Sequence, residues 1–214
     1  MIKFLEKLLN WIYVERCYFC GSSQESKRLC SKCLSEIKIL PLQPHSVLNG
    51  SNVYSVCAYE GIIKKLIKRV KYHHDLKLAK EQAKIMADYW KKLNFPENFV
   101  VLPVPQHKNR IKKRGENHMN IVGKEFCSLL SYTLIPDFLV RIKDTKPQYK
   151  LTKEEREQNL KDAFSLFPEK FPDKSAPILL IDDIKTTGTT LREIISLLQQ
   201  NGYTNIRAFT TART

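Results

Sequence analysis

The chain has 214 residues, 43% of them hydrophobic and 27% charged, with only 7 Gly and 10 Pro. That is enough for a sizeable core in one to two domains, and it excludes a collagenous or disordered chain. Lys and Arg number 36 against 22 Asp and Glu, a net charge of +14, which makes polyanions the natural partners.

Near the start, Phe4, Leu5, Leu8 and Ile12 recur at helical spacing and predict a helix docked on its own domain. Lys3, Glu6 and Lys7 interrupt this stretch before it can form the core of a secretory signal. Other apolar runs, such as 178–181, fall far short of the roughly 18 residues a membrane span needs. The expectation is a cytoplasmic protein without a membrane span.

Cys17, Cys20, Cys30 and Cys33 follow as C-x2-C-x9-C-x2-C. Each C-x2-C places two thiolates on one side of a tight knuckle, and two knuckles supply the four sulfur ligands that Zn2+ takes tetrahedrally. The alternatives are a redox dithiol and a disulfide pair. A redox motif would not need two C-x2-C pairs, and structural disulfides are rare in the cytosol. Four thiolates close the coordination sphere, so the metal expected is structural zinc. Cys57 and Cys127 stand alone in apolar surroundings and read as small core hydrophobes.

Residues 41–52 are rich in turn formers and mark the expected boundary between a metal module, 1–50, and a larger domain, 51–214. The larger domain begins with a predicted strand at 53–59 and a helix carrying Ile62, Ile63, Leu66, Ile67 and Val70. His73-His74-Asp75 breaks that helix, and another spans about 76–93, burying Ala79, Ala83, Met86 and Trp90. A strand at 99–104 leads through a basic loop into a helix with Met119, Val122, Phe126 and Leu130 inside. A strand is predicted at 134–140, then a polar segment to about Asp162 that exceeds a normal connection and suggests function. Strand 178–181, helix 189–201 and strand 206–210 complete an alternating series. The fold class is α/β, a mostly parallel sheet flanked by helices. Basic residues concentrate in two stretches: 60–93 holds ten against four acids, and 103–124 six against one.

The segment 178–190 reads ILLIDDIKTTGTT. An apolar strand ends in Asp182 and Asp183, then a hydroxyl-rich turn opens a helix. Ligands of open parallel sheets bind beyond the carboxyl ends of strands, and a helix N-terminus offers unpaired N–H groups to a phosphate. Gly188 would let the backbone come close to it. Thr186, Thr187, Thr189 and Thr190 add hydroxyls, and the two acids can accept hydrogen bonds from vicinal ribose hydroxyls. The loop reads as a cradle for ribose 5-phosphate. A Walker B strand also ends in Asp, but no G-x4-G-K-[ST] accompanies it. An acidic strand end before an ordinary Thr-capped helix is the plainer alternative.

These residues resemble the type I phosphoribosyltransferase signature, which binds 5-phosphoribosyl 1-pyrophosphate (PRPP). The four cysteines, Tyr59-Glu-Gly61, Lys71-Tyr72, Pro103-Val-Pro105, Arg114-Gly115 with Asn117, Thr145-Lys-Pro-Gln148, Arg156 with Asn159, and Ala163-Phe164 together resemble the ComF family over nearly the whole chain. Glu116 and His118 depart from it, where an apolar residue and Gln are common. The resemblance implies a zinc-finger module joined to a type I phosphoribosyltransferase-like domain, and a role in DNA uptake during natural transformation. It implies Mg2+ with PRPP, catalytic Asp182 and Asp183, and PRPP binding by Asp182, Asp183, Ile184, Lys185, Thr186, Thr187, Gly188, Thr189 and Thr190. Lys185 holds a variable position, where loss should have a weak effect. The pyrophosphate loop would follow Val104, with Lys108, Arg110 and Arg114 as clamps and Lys71 as a further one. The segment 141–156 would close over the site.

Two functions share this pocket: a PRPP-binding competence protein that contacts single-stranded DNA in the cytosol, and an active phosphoribosyltransferase transferring to a nucleobase-like acceptor in salvage. A third expectation is docking to a DNA-uptake helicase through the zinc module.

Overall fold

A computed structural model of the chain describes residues 14–107, 109, 111, 116–143, 162–167 and 172–214. The expected N-terminal helix lies outside these residues, as do Lys108, Arg110, Arg114 and most of the long polar segment. The elements are α1 (Ser31–Ser35), β1 (Ser46–Leu48), β2 (Ser51–Ala58), α2 (Gly61–His73), α3 (Leu76–Lys92), β3 (Val100–Pro103), α4 (His118–Leu130), β4 (Thr133–Leu134), β5 (Leu139–Arg141), β6 (Phe164–Leu166), β7 (Ile178–Lys185), α5 (Thr189–Gln200) and β8 (Ile206–Arg213).

Six strands form one sheet in the order β1-β2-β8-β7-β3-β4, parallel except where β1 joins β2. Strands β5 and β6 pair separately and antiparallel. Both faces of the large sheet are covered, so its central strands are apolar almost without interruption. Along β7, Leu179 and Ile181 join a core with α2, α3 and α4, while Ile178 and Leu180 join a second core with α5. Alternation along a strand divides the two cores in this way. Trp90 sits in the first, its ring 4.8 Å from Phe209 and 5.5 Å from Phe99. Cys17, Leu29, Cys30, Cys33 and Ile37 belong to the same core, so the cysteine segment is packed onto the sheet's helical layer.

The mostly parallel sheet, its helices and the predicted buried stripe of α3 are as the residue pattern implies. The break between α2 and α3 is there too. His74 adopts a left-handed conformation, and the Asp75 carboxylate caps α3 by accepting from the Leu78 N–H at 3.1 Å. Asp75 also receives Arg28 Nη2 at 2.8 Å, which ties the cysteine segment to this corner.

Four boundaries differ. The connector 41–52 contains β1, joined to β2 by Asn49-Gly50, both at positive φ, 47° and 77°. Two such residues make the tight hairpin turn that matches strand twist. The strand expected at 134–140 is two strands, β4 and β5, in different sheets. Pro136 lies between them, and without an N–H it cannot continue a ladder. Strands β7 and β8 run on to Lys185 and Arg213, where they remain paired. Among the described residues no helix is long and apolar enough to cross a membrane.

Candidate functional site

The four cysteines converge. Their sulfur atoms all lie within 4.8 Å of one another, with Cys17 to Cys33 at 3.7 Å and Cys20 to Cys30 at 3.6 Å. Zn–S bonds of about 2.3 Å require sulfur–sulfur edges of about 3.8 Å in a tetrahedron, so the donor set fits the ion. The first knuckle closes through the Gly21 N–H donating to the Cys17 carbonyl at 2.9 Å, with Gly21 at φ 74°. Burial opposes ionisation of Cys17, but backbone N–H groups near its sulfur prevail and bring the thiol down to about 6. Burial and the neighbouring thiols push Cys33 strongly up. Four crowded sulfurs cannot all ionise unless a cation holds them together.

At the carboxyl end of β7 the two acids face different surroundings. Asp183 is buried, and its Oδ2 accepts from Lys71 Nζ at 2.5 Å and from His118 Nε2 at 3.0 Å. Lys71 comes from the last turn of α2 and His118 from the first residue of α4. Asn117 fixes that start. Its side-chain oxygen accepts from the Met119 N–H at 3.1 Å, and its amide donates to the Val104 carbonyl at 3.1 Å. Helix α4 is thereby anchored to the end of β3, which brings His118 to Asp183. Gln106 Nε2 donates to His118 Nδ1 at 2.7 Å, so His118 carries its proton on Nε2 and donates it to the carboxylate.

Burial favours the neutral form of Asp183, but the Lys71 charge and the His118 hydrogen bond outweigh it and hold the carboxyl far below the usual range. Half-buried Asp182 is pushed the other way, by burial and then by the Asp183 charge. Two adjacent carboxyls with acidities driven apart make one permanent anion beside one titratable acid. Burial disfavours the charged form of Lys71, yet Asp183 raises its affinity for a proton overall.

Beyond Lys185 the chain turns through Gly188 at φ 80° into α5. A Cβ there would stand 3.1 Å from Leu48 Cδ1 and 3.3 Å from Lys185 Cε, so both conformation and space call for glycine. The Thr187 and Thr189 hydroxyls are 2.9 Å apart. Thr189 is buried, Thr190 and Thr187 are half-buried and Thr186 is exposed. The first N–H groups of α5 lie just past this turn, where a helix leaves them without helical acceptors.

Asp182, Asp183 and the threonine loop thus stand together, as the residue pattern predicts. Lys71 joins them as the direct partner of Asp183. Arg141, expected to begin a closing loop, is buried in β5, its guanidinium 5.6 Å from the centre of the Phe164 ring. Gln106 and His118 escaped sequence reasoning. Residue 118 was legible only as a departure from the family pattern, and nothing in the order of residues joins it to position 183, 65 residues away.

An acid-bearing strand here feeds a glycine turn and a helix N-terminus in a mostly parallel α/β sheet flanked by helices, so the chain is an α/β protein with its acids at the carboxyl edge of the sheet. The chain is similar to competence protein F of Haemophilus influenzae, 29% identical over 92% of this chain and 96% of that protein. It is also similar to the DNA utilization protein YhgH of Salmonella typhimurium, 27% identical over 94% and 85%, and to competence protein ComFC of Bacillus subtilis, 23% identical over 92% and 77%. No family model matches the chain. Among solved structures, adenine phosphoribosyltransferase of Trypanosoma brucei is 12% identical over 83% of this chain and 86% of that one, at TM-score 0.46. A hypoxanthine phosphoribosyltransferase of Staphylococcus aureus is 15% identical over 67% and 65%, at TM-score 0.39.

Proposed function

We propose that this protein binds PRPP with Mg2+ at residues 182–190 and acts in DNA uptake, contacting single-stranded DNA in the cytosol through its basic surface. The observation that carries the reading is the run from Asp182 and Asp183, through Gly188 at positive φ, into the N-terminus of α5. Backbone N–H groups and threonine hydroxyls would hold the 5-phosphate, and the carboxylates would accept from the ribose hydroxyls. The acid pair suits a hard cation that keeps several waters, which is how Mg2+ accompanies a pyrophosphate. When bound, that ion would offset the charge of the pyrophosphate oxygens. The relatives' names, competence protein and DNA utilization protein, support a role that involves DNA, and the +14 charge supplies the attraction for a polyanion. The domain division at residues 50 and 51, zinc at the four cysteines and a helicase docked on that module belong to the same reading. So do the pyrophosphate contacts of Lys108, Arg110 and Arg114, which lie outside the described residues.

Lys71 would have two alternative partners. Its ammonium neutralises Asp183. A pyrophosphate arriving beside the acids would compete for it.

Calorimetric titration of PRPP with Mg2+ into the wild type and the Asp182→Asn/Asp183→Asn protein tests the assignment. The double variant should lose at least about tenfold in affinity, the worth of one charge-assisted hydrogen bond; equal affinities would remove it. A second reading, transfer of the ribosyl group to a nucleobase-like acceptor, is favoured by His118, an imidazole held between Gln106 and Asp183 beside the acid pair, where it could exchange a proton with an acceptor. Pyrophosphate release with one base of a panel would establish it. A single-stranded DNA affinity that falls steeply with salt, by a log–log slope of about 0.7 per contacted phosphate, would establish the DNA contact.

A further inference from the structure

An aromatic ring and two guanidinium groups meet at the first cysteine knuckle. Tyr18 stands between Cys17 and Cys20, two of the four clustered cysteines, and is 40% exposed. Its N–H donates to the Arg28 carbonyl at 3.0 Å, which holds residue 28 beside the knuckle. The Phe19 ring meets the Tyr18 ring edge-on, with centres 5.2 Å apart. The guanidinium carbons of Arg28 and Arg69 both lie 5.2 Å from the centre of the Tyr18 ring. The same two groups share one carboxylate oxygen. Arg28 Nη2 and Nε donate to Asp75 Oδ2 at 2.8 and 3.3 Å, and Arg69 Nε stands 3.6 Å from that atom, an ion pair beyond hydrogen-bond reach. One ring and one oxygen therefore gather cations from two segments, the cysteine segment and α2.

The charges in this group do not balance. Among the described residues Asp75 is the acid paired with either guanidinium, one negative charge against two positive. Arg69 is half-buried and makes no hydrogen bond among those residues, so its donors are uncommitted although its position is fixed. Helix α2, which carries it, reads GIIKKLIKRVKYH, five Lys and Arg and no acid. Lys65, one turn before Arg69 on the same helix face, is exposed. An exposed ring bordered by guanidinium groups, with positive charge to spare, suits an unpaired base and its phosphates: the base stacks on the ring and the cations take the backbone. A duplex keeps its bases stacked inside, and an acidic peptide would use the charge without the ring.

We propose that Tyr18, Arg28 and Arg69, continued by Lys65, form a docking surface for single-stranded DNA, on which a base stacks against the Tyr18 ring and a neighbouring phosphate engages the Arg69 guanidinium. The inference rests on the reading of single-stranded DNA contact given above and assigns that contact a place.

Fluorescence anisotropy of a labelled oligothymidylate and of an abasic strand of equal length, over a salt series, tests it on the full chain. Wild type, Tyr18→Leu, Tyr18→Trp and Arg69→Gln are compared, each checked for zinc content and melting temperature. Tyr18→Leu should lose about fivefold or more on oligothymidylate, the worth of one stacked base, and nothing on the abasic strand. Tyr18→Trp should keep the wild-type affinity. Arg69→Gln should weaken both strands and lower the log–log salt slope by about 0.7, one phosphate contact. Arg69 lies outside the knuckle, so this slope decides the matter if Tyr18→Leu loses zinc. Wild type that binds no oligothymidylate removes the single-stranded DNA reading and this inference with it. Wild type that binds, with Tyr18→Leu equal to it or weakened alike on both strands, or with an unchanged slope in Arg69→Gln, leaves that reading standing and overturns the docking surface alone.

Discussion

Lys71 and Asp183 stand 112 residues apart in the chain and 2.5 Å apart in the fold. The carboxylate is almost fully buried, with 6% of its side chain exposed against 25% for the lysine, so the anion depends on its partner more than the cation does. Removing the lysine alone leaves a buried charge with, among the described residues, His118 to answer it.

Lys71→Met should therefore destabilise the fold by about 3 kcal/mol, the low end for breaking a buried pair because His118 remains. On a chain of this size that lowers the melting temperature by about 10 °C. Adding Asp183→Asn to Lys71→Met should restore most of the loss, since the uncompensated charge is then gone. A thermal melt of the single and double variants checks both statements.

Asp182 gives a pH dependence of opposite sign to Asp183. Its proton affinity is raised in the folded protein, so below the unfolded carboxyl value of about 3.9 it costs nothing. The cost grows as pH rises from there toward the folded value. Asp182→Asn removes that cost. The variant should melt at about the wild-type temperature at pH 4 and about 2–4 °C higher at pH 8, the equivalent of about 1 kcal/mol. Paired melts at the two values measure the difference. Asp182 must be ionised to meet a cation, so Mg2+-dependent ligand affinity in the wild type should climb over the same interval.

Gly188→Ala puts a methyl group on a left-handed residue and within 3.1 Å of Leu48 Cδ1. The conformational cost is about 1–2 kcal/mol, a fall of about 4 °C in the melt. The turn would shift to relieve the contact, so PRPP affinity should fall with it, by calorimetry, while zinc content stays unchanged.

The purified protein should carry about one zinc per chain, released by a thiol reagent and counted with a chromogenic chelator. Cys33→Ser should abolish it. Since Cys33 and Cys17 are buried in the core shared with α2, α3 and α4, metal loss should also lower the melting temperature, which a free-standing module would not do to the rest of the chain.

Reading by residue order reaches the loop because its parts are contiguous: strand, two acids, glycine and helix start fall within thirteen positions. The hairpin at Asn49-Gly50 carried an equally local signal, two turn residues joining short strands, that was read as a mere connector. Lys71 was legible as a cation near the site, but its commitment to Asp183 was not. Its neighbours in sequence are the helix α2 and a second dense run of lysines. Lys185 looked like a variable loop residue, and only the sheet register shows it as the end of β7, beside Arg213 of β8.

The residue order alone determined the four-cysteine cluster, the buried strands and the run of two acids, glycine and helix start at 182–190, because each is written in short-range spacing that backbone geometry turns into a local shape. The tertiary structure decided which charges meet. Helices α2 and α4 bring Lys71 and His118 to one carboxylate because packing against β7 orients them. That packing is a property of the assembled core, and no spacing along the chain encodes it.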